Sequence, residues 1–254
     1  IIGSDCLIPK VIHYCWFGGN PLPEIAKKCI NSWKTFLPDY EIKEWNEKNY
    51  DVHKIPYISQ AYNSKKYAFV SDYARFDILY KYGGIYFDTD VEIIKDLNSI
   101  IKKGPFVAIE KGNKFYINAG LGIASNKNEK IYKEILESYQ NDSFIKEDGS
   151  LNQKTVVTRV SDIFAKYGFV EKDIIQSISN ITIYPSEYFC PKDYFTGEIK
   201  ITQNTFTIHH FDASWTTKAQ KKYDQQRIFL ISHFGKVGKL ISFIPYCIWI
   251  LKDN

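Results

Sequence analysis

Residues 69–90, FVSDYARFDILYKYGGIYFDTD, change from a helical to an extended pattern and end in two aspartates. Apolar residues spaced three and four apart predict a helix up to two adjacent glycines, which can adopt the left-handed turn that ends a helix. Residues 85–87 then predict a short buried strand. A chain with this pattern is expected to place Asp88 and Asp90 at the end of a core strand.

These two carboxylates predict a metal site. Ionised carboxylates at the edge of a core cost several kcal/mol unless a cation or a hydrogen-bond partner compensates for the lost water. Asp88 and Asp90 are two residues apart, so an extended backbone projects them to the same side. Oxygen ligands at this spacing suit a hard cation such as Mn²⁺ or Mg²⁺ that bridges a diphosphate.

The rest of the chain alternates between extended and helical patterns. The sequence predicts strands at 11–17, 40–45, 106–109, 117–124, 181–184 and 205–209, and helices at 24–37, 129–139 and 156–167. Such alternation favours an α/β sheet with crossover helices. The first strand ends at two glycines, and the ends of such strands are where α/β sheets bind nucleotides.

Composition limits the class of protein. The 254 residues are enough to bury a full core, and the net charge of +4 is too mild to indicate a nucleic-acid partner. The five cysteines have neither paired short spacings nor a zinc pattern, so we expect a reduced, cytoplasmic compartment. The sequence has no recognisable secretion signal.

Four blocks of sequence carry a resemblance to a known family. They are residues 8–19 (IPKVIHYCWFGG), 67–90, 116–122 (YINAGLG) and 208–215 (IHHFDASW). In this order they resemble the nucleotide-sugar glycosyltransferases with an Asp-x-Asp motif, and among them yeast initiating mannosyltransferases, capsular and lipopolysaccharide sugar transferases and clostridial glucosylating toxins. The resemblance implies an α/β, GT-A (Rossmann-like) fold with a mixed central sheet flanked by helices.

The resemblance also implies an activity. A hexose would pass from a nucleotide-sugar donor, which we expect to be UDP-linked, to a saccharide hydroxyl with retention of anomeric configuration. Asp72, Arg75, Asp88 and Asp90 are the expected catalytic residues. An acceptor-only carboxylate and a guanidinium fork three residues apart on a helix can read vicinal sugar hydroxyls together, which suits Asp72 and Arg75.

Further donor contacts are implied by the other blocks. Trp16 would stack on the nucleobase, and Ser71 lies beside Asp72 in the sugar-binding helix. Asn118 and Gly120 would lie near the transferred sugar. The last pair, Ser214 and Trp215, would help to close a lid over the diphosphate.

The third metal ligand is expected from the late histidine pair. His209 and His210 alternate in direction along an extended segment, so only one of them can point at the two aspartates. The family pattern favours His209.

The C-terminal segment divides the chain into a predicted catalytic domain, 1–235, and an apolar, basic tail, 236–254. Its apolar run is too short to span a bilayer, so it predicts either an anchor at the membrane surface or a buried terminal helix. In the first case the acceptor would be lipid-linked, and the enzyme would serve capsule or cell-envelope polysaccharide synthesis at the inner face of the plasma membrane.

Two other classes fit part of the pattern. A strand that ends in Asp-Thr-Asp-Val is similar to the nucleophile motif of haloacid-dehalogenase-like phosphatases, in which the first aspartate attacks phosphorus. A noncatalytic saccharide-binding module would account for the 16% aromatic content. The phosphatase motif usually lies near the N-terminus and is completed by a later acidic pair after a strand, and the sequence shows no convincing pair of this kind. A binding module would not require the two aspartates together with Asp72 and Arg75.

Overall fold

The computed structural model describes residues 8–152, 154–213, 216 and 218–242. Its strands are β1 (Val11–Cys15), β2 (Glu41–Trp45), β3 (Gly84–Tyr86), β4 (Val91–Ile93), β5 (Phe106–Lys111), β6 (Phe115–Ile117), β7 (Ile123–Ser125), β8 (Gln176–Ile178), β9 (Ile181–Tyr184) and β10 (Thr207–His209). Its helices are α1 (Glu24–Phe36), α2 (Pro56–Asn63), α3 (Tyr67–Tyr82), α4 (Asn98–Ile101), α5 (Lys130–Gln140), α6 (Val156–Lys166), α7 (Ser186–Phe189) and α8 (Lys218–Ile241).

The central sheet is mixed. Its strand order is β2-β1-β3-β7-β5-β9-β8, with β6 added beside β5. β1 runs parallel to β2 and β3, whereas β7 runs antiparallel to both β3 and β5. Helices flank this sheet, so the predicted α/β architecture with a mixed central sheet is confirmed.

Both faces of the sheet are buried, because successive residues of each central strand join different core clusters. One cluster packs α1, α4 and α7 against the sheet, and its strand residues include Ile12, Tyr14, Ile85, Phe106 and Ala108. The other packs α2, α3, α5 and α6, and its strand residues include Cys15, Tyr86, Val107 and Ile109. Helix α3, which carries the predicted sugar-binding residues, therefore lies directly on the strand that leads to Asp88.

A second, two-stranded sheet was not predicted. β4 follows the aspartate pair and pairs antiparallel with β10, which places His209 opposite Val91. β10 lies within the predicted strand at 205–209, whereas the three residues of β4 are too few for a periodic pattern in the sequence to be recognised. This pairing is nevertheless what brings the late histidine block to the aspartates.

The predicted strand at 117–124 is wrong. The segment forms the end of β6, a turn and then β7, and Asn118 and Gly120 lie in the turn. Gly122 has a φ of 138°, and a Cβ atom at this position would lie 2.7 Å from the Phe87 ring. The backbone must turn where the ring packs, so the apolar run is divided.

Helix α8 crosses the predicted boundary between residues 235 and 236. Its backbone breaks at Gly235, where φ is 52° and ψ is −125°. Residues 243–254 of the predicted tail lie outside the described residues. Within the described part of the chain, no helix has the length and apolar character needed to cross a membrane.

Candidate active site

The predicted donor residues meet at the end of β3. Asp88 and Asp90 lie in the short connection between β3 and β4, Asp72 and Arg75 lie on α3, and His209 ends β10. Each group comes from a different part of the fold. Their meeting depends on the packing of α3 against the central sheet and on the pairing of β10 with β4.

Asp90 is held by the late block. Its Oδ1 lies 3.3 Å from Nε2 of His209, and its Oδ2 accepts a hydrogen bond of 2.9 Å from the backbone N–H of Asp212. Burial disfavours the charged forms of both side chains, but each stabilises the other. As a result the pKa of Asp90 falls to about 2 and the pKa of His209 lies well above its usual value.

The neighbouring histidine points elsewhere. His210 Nε2 lies 2.7 Å from Glu92, a carboxylate that also pairs with Lys28 at 2.8 Å. Strand alternation explains the difference, since consecutive residues project to opposite sides. His209 is therefore the histidine that the structure turns toward Asp90.

Asp88 faces Arg75 on α3 and not the histidine. Its Oδ1 lies 3.3 Å from Nη2 of Arg75 and accepts a hydrogen bond of 3.1 Å from the Tyr86 hydroxyl. Its backbone N–H donates to the carbonyl of Gly120 at 3.0 Å. The carboxylate is thus fixed by α3, by β3 and by the turn before β7.

Arg75 contacts both Asp72 and Asp88. Its Nη2 lies 2.9 Å from Oδ1 of Asp72, and the side chains of Arg75 and Asp72 are only 5% and 14% exposed. Burial raises the pKa of Asp72 to about 7, although Arg75 lowers it. The third donor-side residue, Ser71, donates its hydroxyl to the helix carbonyl of Tyr67 at 3.2 Å.

Asn118 is oriented by hydrogen bonds at both ends of its side chain. Its Oδ1 accepts from the N–H of Gly120 at 2.7 Å, and its Nδ2 donates to Glu110. Glu110, on β5, was not among the predicted site residues. It comes directly after a buried apolar run, as Asp88 does, and this was the signal that could have found it.

The first block forms the loop after β1. Trp16 is partly buried, and its Nε1 donates to the carbonyl of Asn20 at 2.6 Å. Ser214 and Trp215 lie outside the described residues. Asp212, just before them, pairs with Lys221 at 3.3 Å.

The donor set of Asp88, Asp90 and His209 is chemically suited to a divalent ion such as Mn²⁺. The three ligand atoms do not form a compact triad in the described part of the chain. There, the group of three whose ligand atoms lie within 4.8 Å of one another is Glu110, Cys190 and His209. Asp90 and His209 are already neighbours, so an ion would have to draw in Asp88 to use all three.

Residues 23–107 match the family described as "Glycosyltransferase sugar-binding region containing DXD motif". This range covers α1 to the start of β5, including Asp72, Arg75, Asp88 and Asp90. This part of the chain is thus similar to the sugar-binding region of the DXD glycosyltransferases.

The chain is also similar to curated glycosyltransferases. It is 32% identical over 111 residues to inositol phosphoceramide mannosyltransferase 1 of Schizosaccharomyces pombe. The aligned region covers 39% of this chain and 33% of the relative. It is 27% identical over 151 residues to an uncharacterised glycosyltransferase of Acanthamoeba polyphaga mimivirus, with 54% and 59% covered. The chain therefore spans about one third of the yeast relative and under two thirds of the viral one.

Solved glycosyltransferase structures are similar to a lower degree. The PaToxG glycosyltransferase is 21% identical with a TM-score of 0.46, over 63% of this chain and 68% of that one. A glycosyltransferase involved in glycosylation of the major capsid of PBCV-1 is 12% identical with a TM-score of 0.43, over 87% and 100%. Both scores are below 0.5, so the function has to be inferred from the site itself and from the family match.

Proposed function

We propose that this protein is a metal-dependent glycosyltransferase of the GT-A type. It transfers a hexose, with retention, from a UDP-linked donor to a saccharide hydroxyl. The observation that supports this function most directly is the chain of contacts from Asp72 through Arg75 to Asp88. It lies at the end of β3, inside the segment that matches the DXD sugar-binding family.

The donor diphosphate would lie beside the aspartates. Asp88, Asp90 and His209 would hold a divalent cation, Mn²⁺ or Mg²⁺, which when bound neutralises the negative charge that builds on the leaving diphosphate. The Asp90 carboxylate is already stabilised before an ion binds, because His209 and the Asp212 N–H both face it. Such a preorganised setting reduces reorganisation during bond cleavage.

The donor sugar would contact α3. Arg75 presents a guanidinium that Asp72 and Asp88 hold in place, and Asp72 offers carboxylate oxygens to sugar hydroxyls. Trp16 would stack on the nucleobase, a contact that by analogy contributes roughly 1 to 3 kcal/mol. Asn118 and the turn at Gly120 would border the transferred sugar, and Ser214 and Trp215 would cover the diphosphate.

Retention follows from front-face attack in this proposal. The acceptor hydroxyl attacks the anomeric carbon on the face from which the diphosphate departs, and its proton passes to an oxygen of that leaving group. Arg75 and Asp72 would hold the sugar in position during this step. No side chain of the protein is assigned as a covalent nucleophile.

The test is release of nucleoside diphosphate from a panel of sugar nucleotides with and without Mn²⁺. The unaltered chain is compared with Asp90→Asn and with the control Asp96→Asn, an exposed residue whose side chain accepts from Asn98. Metal-dependent turnover of one donor that Asp90→Asn removes and Asp96→Asn retains supports the proposal. Cleavage of a phosphate ester with no donor turnover would instead identify the phosphatase class.

We also propose that the protein works at the inner face of the plasma membrane on a lipid-linked acceptor in capsule or cell-envelope synthesis. The support is α8, whose sequence holds five lysines and one arginine against one aspartate. Phe229, Phe234 and Leu240 on this helix are 55%, 56% and 73% exposed. Basic helices with exposed apolar side chains bind anionic lipid surfaces.

Vesicle sedimentation tests this location. The unaltered chain should sediment with vesicles that contain phosphatidylglycerol and remain free with phosphatidylcholine alone. A triple variant, Phe229→Ser, Phe234→Ser and Leu240→Ser, should lose binding while it retains donor turnover. Equal sedimentation of the triple variant and the unaltered chain would rule out α8 as the anchor.

A further inference from the structure

A second group of ligand atoms adjoins the donor site. Glu110 lies on β5, Cys190 follows α7 and His209 ends β10, and their ligand atoms all lie within 4.8 Å of one another. Cys190 and His209 are only 5% and 8% exposed, and Glu110 is partly buried. The sequence does not have the short spacing of ligands that is typical of zinc sites, because the three residues are 80 and 19 positions apart.

The two ring nitrogens of His209 have different surroundings. Nε2 faces Asp90 at 3.3 Å, whereas Nδ1 is buried without a geometrically well-formed hydrogen bond to a described residue, and the Cys190 thiol interacts with the ring. A buried polar atom without a partner costs about 1 to 3 kcal/mol, so a ligand at this nitrogen would relieve the cost. Metal-binding histidines usually direct their other ring nitrogen at a carboxylate or a carbonyl, as His209 does.

The three side chains differ in character from the aspartate pair. Zn²⁺ takes thiolate, imidazole and carboxylate ligands, and its sites with three protein ligands keep a fourth position open. Thiolate is a soft ligand that suits Zn²⁺ better than Mg²⁺ or Mn²⁺. A coordinating cysteine is bound as the thiolate, so binding of an ion here releases a proton.

We propose that Glu110, Cys190 and His209 form a separate site for a thiophilic divalent cation such as Zn²⁺. Both this site and the donor-metal site use His209. An ion bound to Glu110, Cys190 and His209 therefore withdraws the histidine from the donor-metal site and inhibits transfer. Binding of the ion stands independently, and the inhibition rests on the proposed transferase function.

Cobalt is the probe for binding, because Co²⁺ bound to thiolate absorbs in the near ultraviolet. Protein stripped with a chelator is titrated with Co²⁺, and one equivalent of Zn²⁺ should then abolish the thiolate band. Cys190→Ser should lack the band, whereas Cys29→Ser, which changes another buried thiol, should retain it. Absence of the band in the unaltered chain, or an equal band in Cys190→Ser, would overturn the proposal.

Glu110→Gln provides a second test that leaves the thiol in place. Gln keeps the size of the side chain and an acceptor for Asn118, but it removes the charged ligand. It should weaken Zn²⁺ binding by at least about tenfold, the scale of loss seen even for outer-shell partners of metals. Unchanged affinity would remove Glu110 from the site and with it the three-ligand proposal.

The inhibition is measured by donor turnover with Mn²⁺ while Zn²⁺ is added. Zn²⁺ should inhibit the unaltered chain, and Cys190→Ser should require at least about tenfold more Zn²⁺ for the same inhibition. Cobalt binding without Zn²⁺ inhibition would overturn the sharing of His209. If Mn²⁺ supports no turnover of any donor, the transferase proposal fails, and the cobalt spectrum still decides the metal site.

Discussion

A Cβ atom on Gly120 would lie 1.9 Å from Oδ2 of Asp88, a distance that no pair of such atoms can adopt. The absence of a side chain at position 120 is therefore what lets the Asp88 carboxylate lie against the turn before β7. The same turn accepts the Asp88 backbone N–H through the Gly120 carbonyl. One glycine thus positions both the backbone and the side chain of a predicted metal ligand.

Gly120→Ala should displace the Asp88 carboxylate while the sheet remains folded. Displacement of a catalytic group by about 1 Å can cost on the order of 100-fold in rate, so we expect a loss of donor turnover of that size. Gly112→Ala is the matched control, because its nearest heavy atom among the described residues is 3.8 Å from the added Cβ. Equal turnover in both variants would show that the position of Asp88 is immaterial.

Arg75→Lys should impair the donor site even though the charge is kept. Lysine offers a point charge in place of the fork that contacts both Asp72 and Asp88, so we expect a higher KM for the donor together with a lower kcat. Arg159→Lys is the comparison, since Arg159 is also buried and pairs with Asp142. Arg159→Lys should lower the melting temperature with little effect on kcat, and identical kinetics for both variants would contradict the role of Arg75.

Substitutions of the two adjacent histidines should differ in their effect on the Mn²⁺ dependence of turnover. His209→Asn should raise the Mn²⁺ concentration needed for half-maximal turnover by at least about tenfold, because it removes a side chain that faces Asp90. His210→Asn should leave the Mn²⁺ dependence unchanged, since His210 pairs with Glu92. A stronger effect of His210→Asn than of His209→Asn would reverse the assignment.

Some of this arrangement was predictable from the sequence, because strong periodic segments determine it. The strands at 11–15 and 84–86 and the helix that ends before Gly83 follow from apolar spacing and turn residues. Strand alternation predicts that only one of His209 and His210 faces the aspartates, whereas the choice of His209 came from the resemblance to the family. What these segments share is that local sequence determines them.

The parts that were missed depend on contacts between distant segments. β4 and β10 are three residues each, so their pairing is a tertiary effect that no window of sequence displays. Glu110 meets Asn118 only because β5 and β6 form a hairpin and the chain then turns at Gly120. Cys190 and His209 approach Glu110 by the same kind of long-range packing, so the mixed ligand group could not be anticipated.

His13 provides a prediction about stability that is independent of the donor site. The residue is 2% exposed, Trp45 Nε1–H donates to its Nδ1 at 3.1 Å, and its Nε2 lies 3.0 Å from the Gly83 carbonyl. The neutral ring satisfies both contacts, with Nε2–H as the donor. Burial lowers the pKa of His13 from 6.5 to about 4, and the charge of Lys43 adds to the lowering.

The depressed pKa fixes the sign of the pH dependence. Above pH 6.5 the ring is neutral in both folded and unfolded chains, and the contribution of His13 to stability is fully present. As the pH falls from 6.5 to about 4, the unfolded chain binds a proton that the folded chain does not. A shift of this size corresponds to a loss of about 3 kcal/mol in the free energy of unfolding.

Urea unfolding of the chelator-treated protein between pH 4 and pH 7.5 measures this loss. His13→Gln removes the titrating group, so its free energy of unfolding should fall by about 3 kcal/mol less over this range than that of the unaltered chain. His53→Gln, at an exposed histidine that contacts Ser59, should follow the unaltered chain. If His13→Gln retained the full pH dependence, carboxyl groups elsewhere would have to account for the acid sensitivity, and the neutral, doubly hydrogen-bonded ring would not contribute to it.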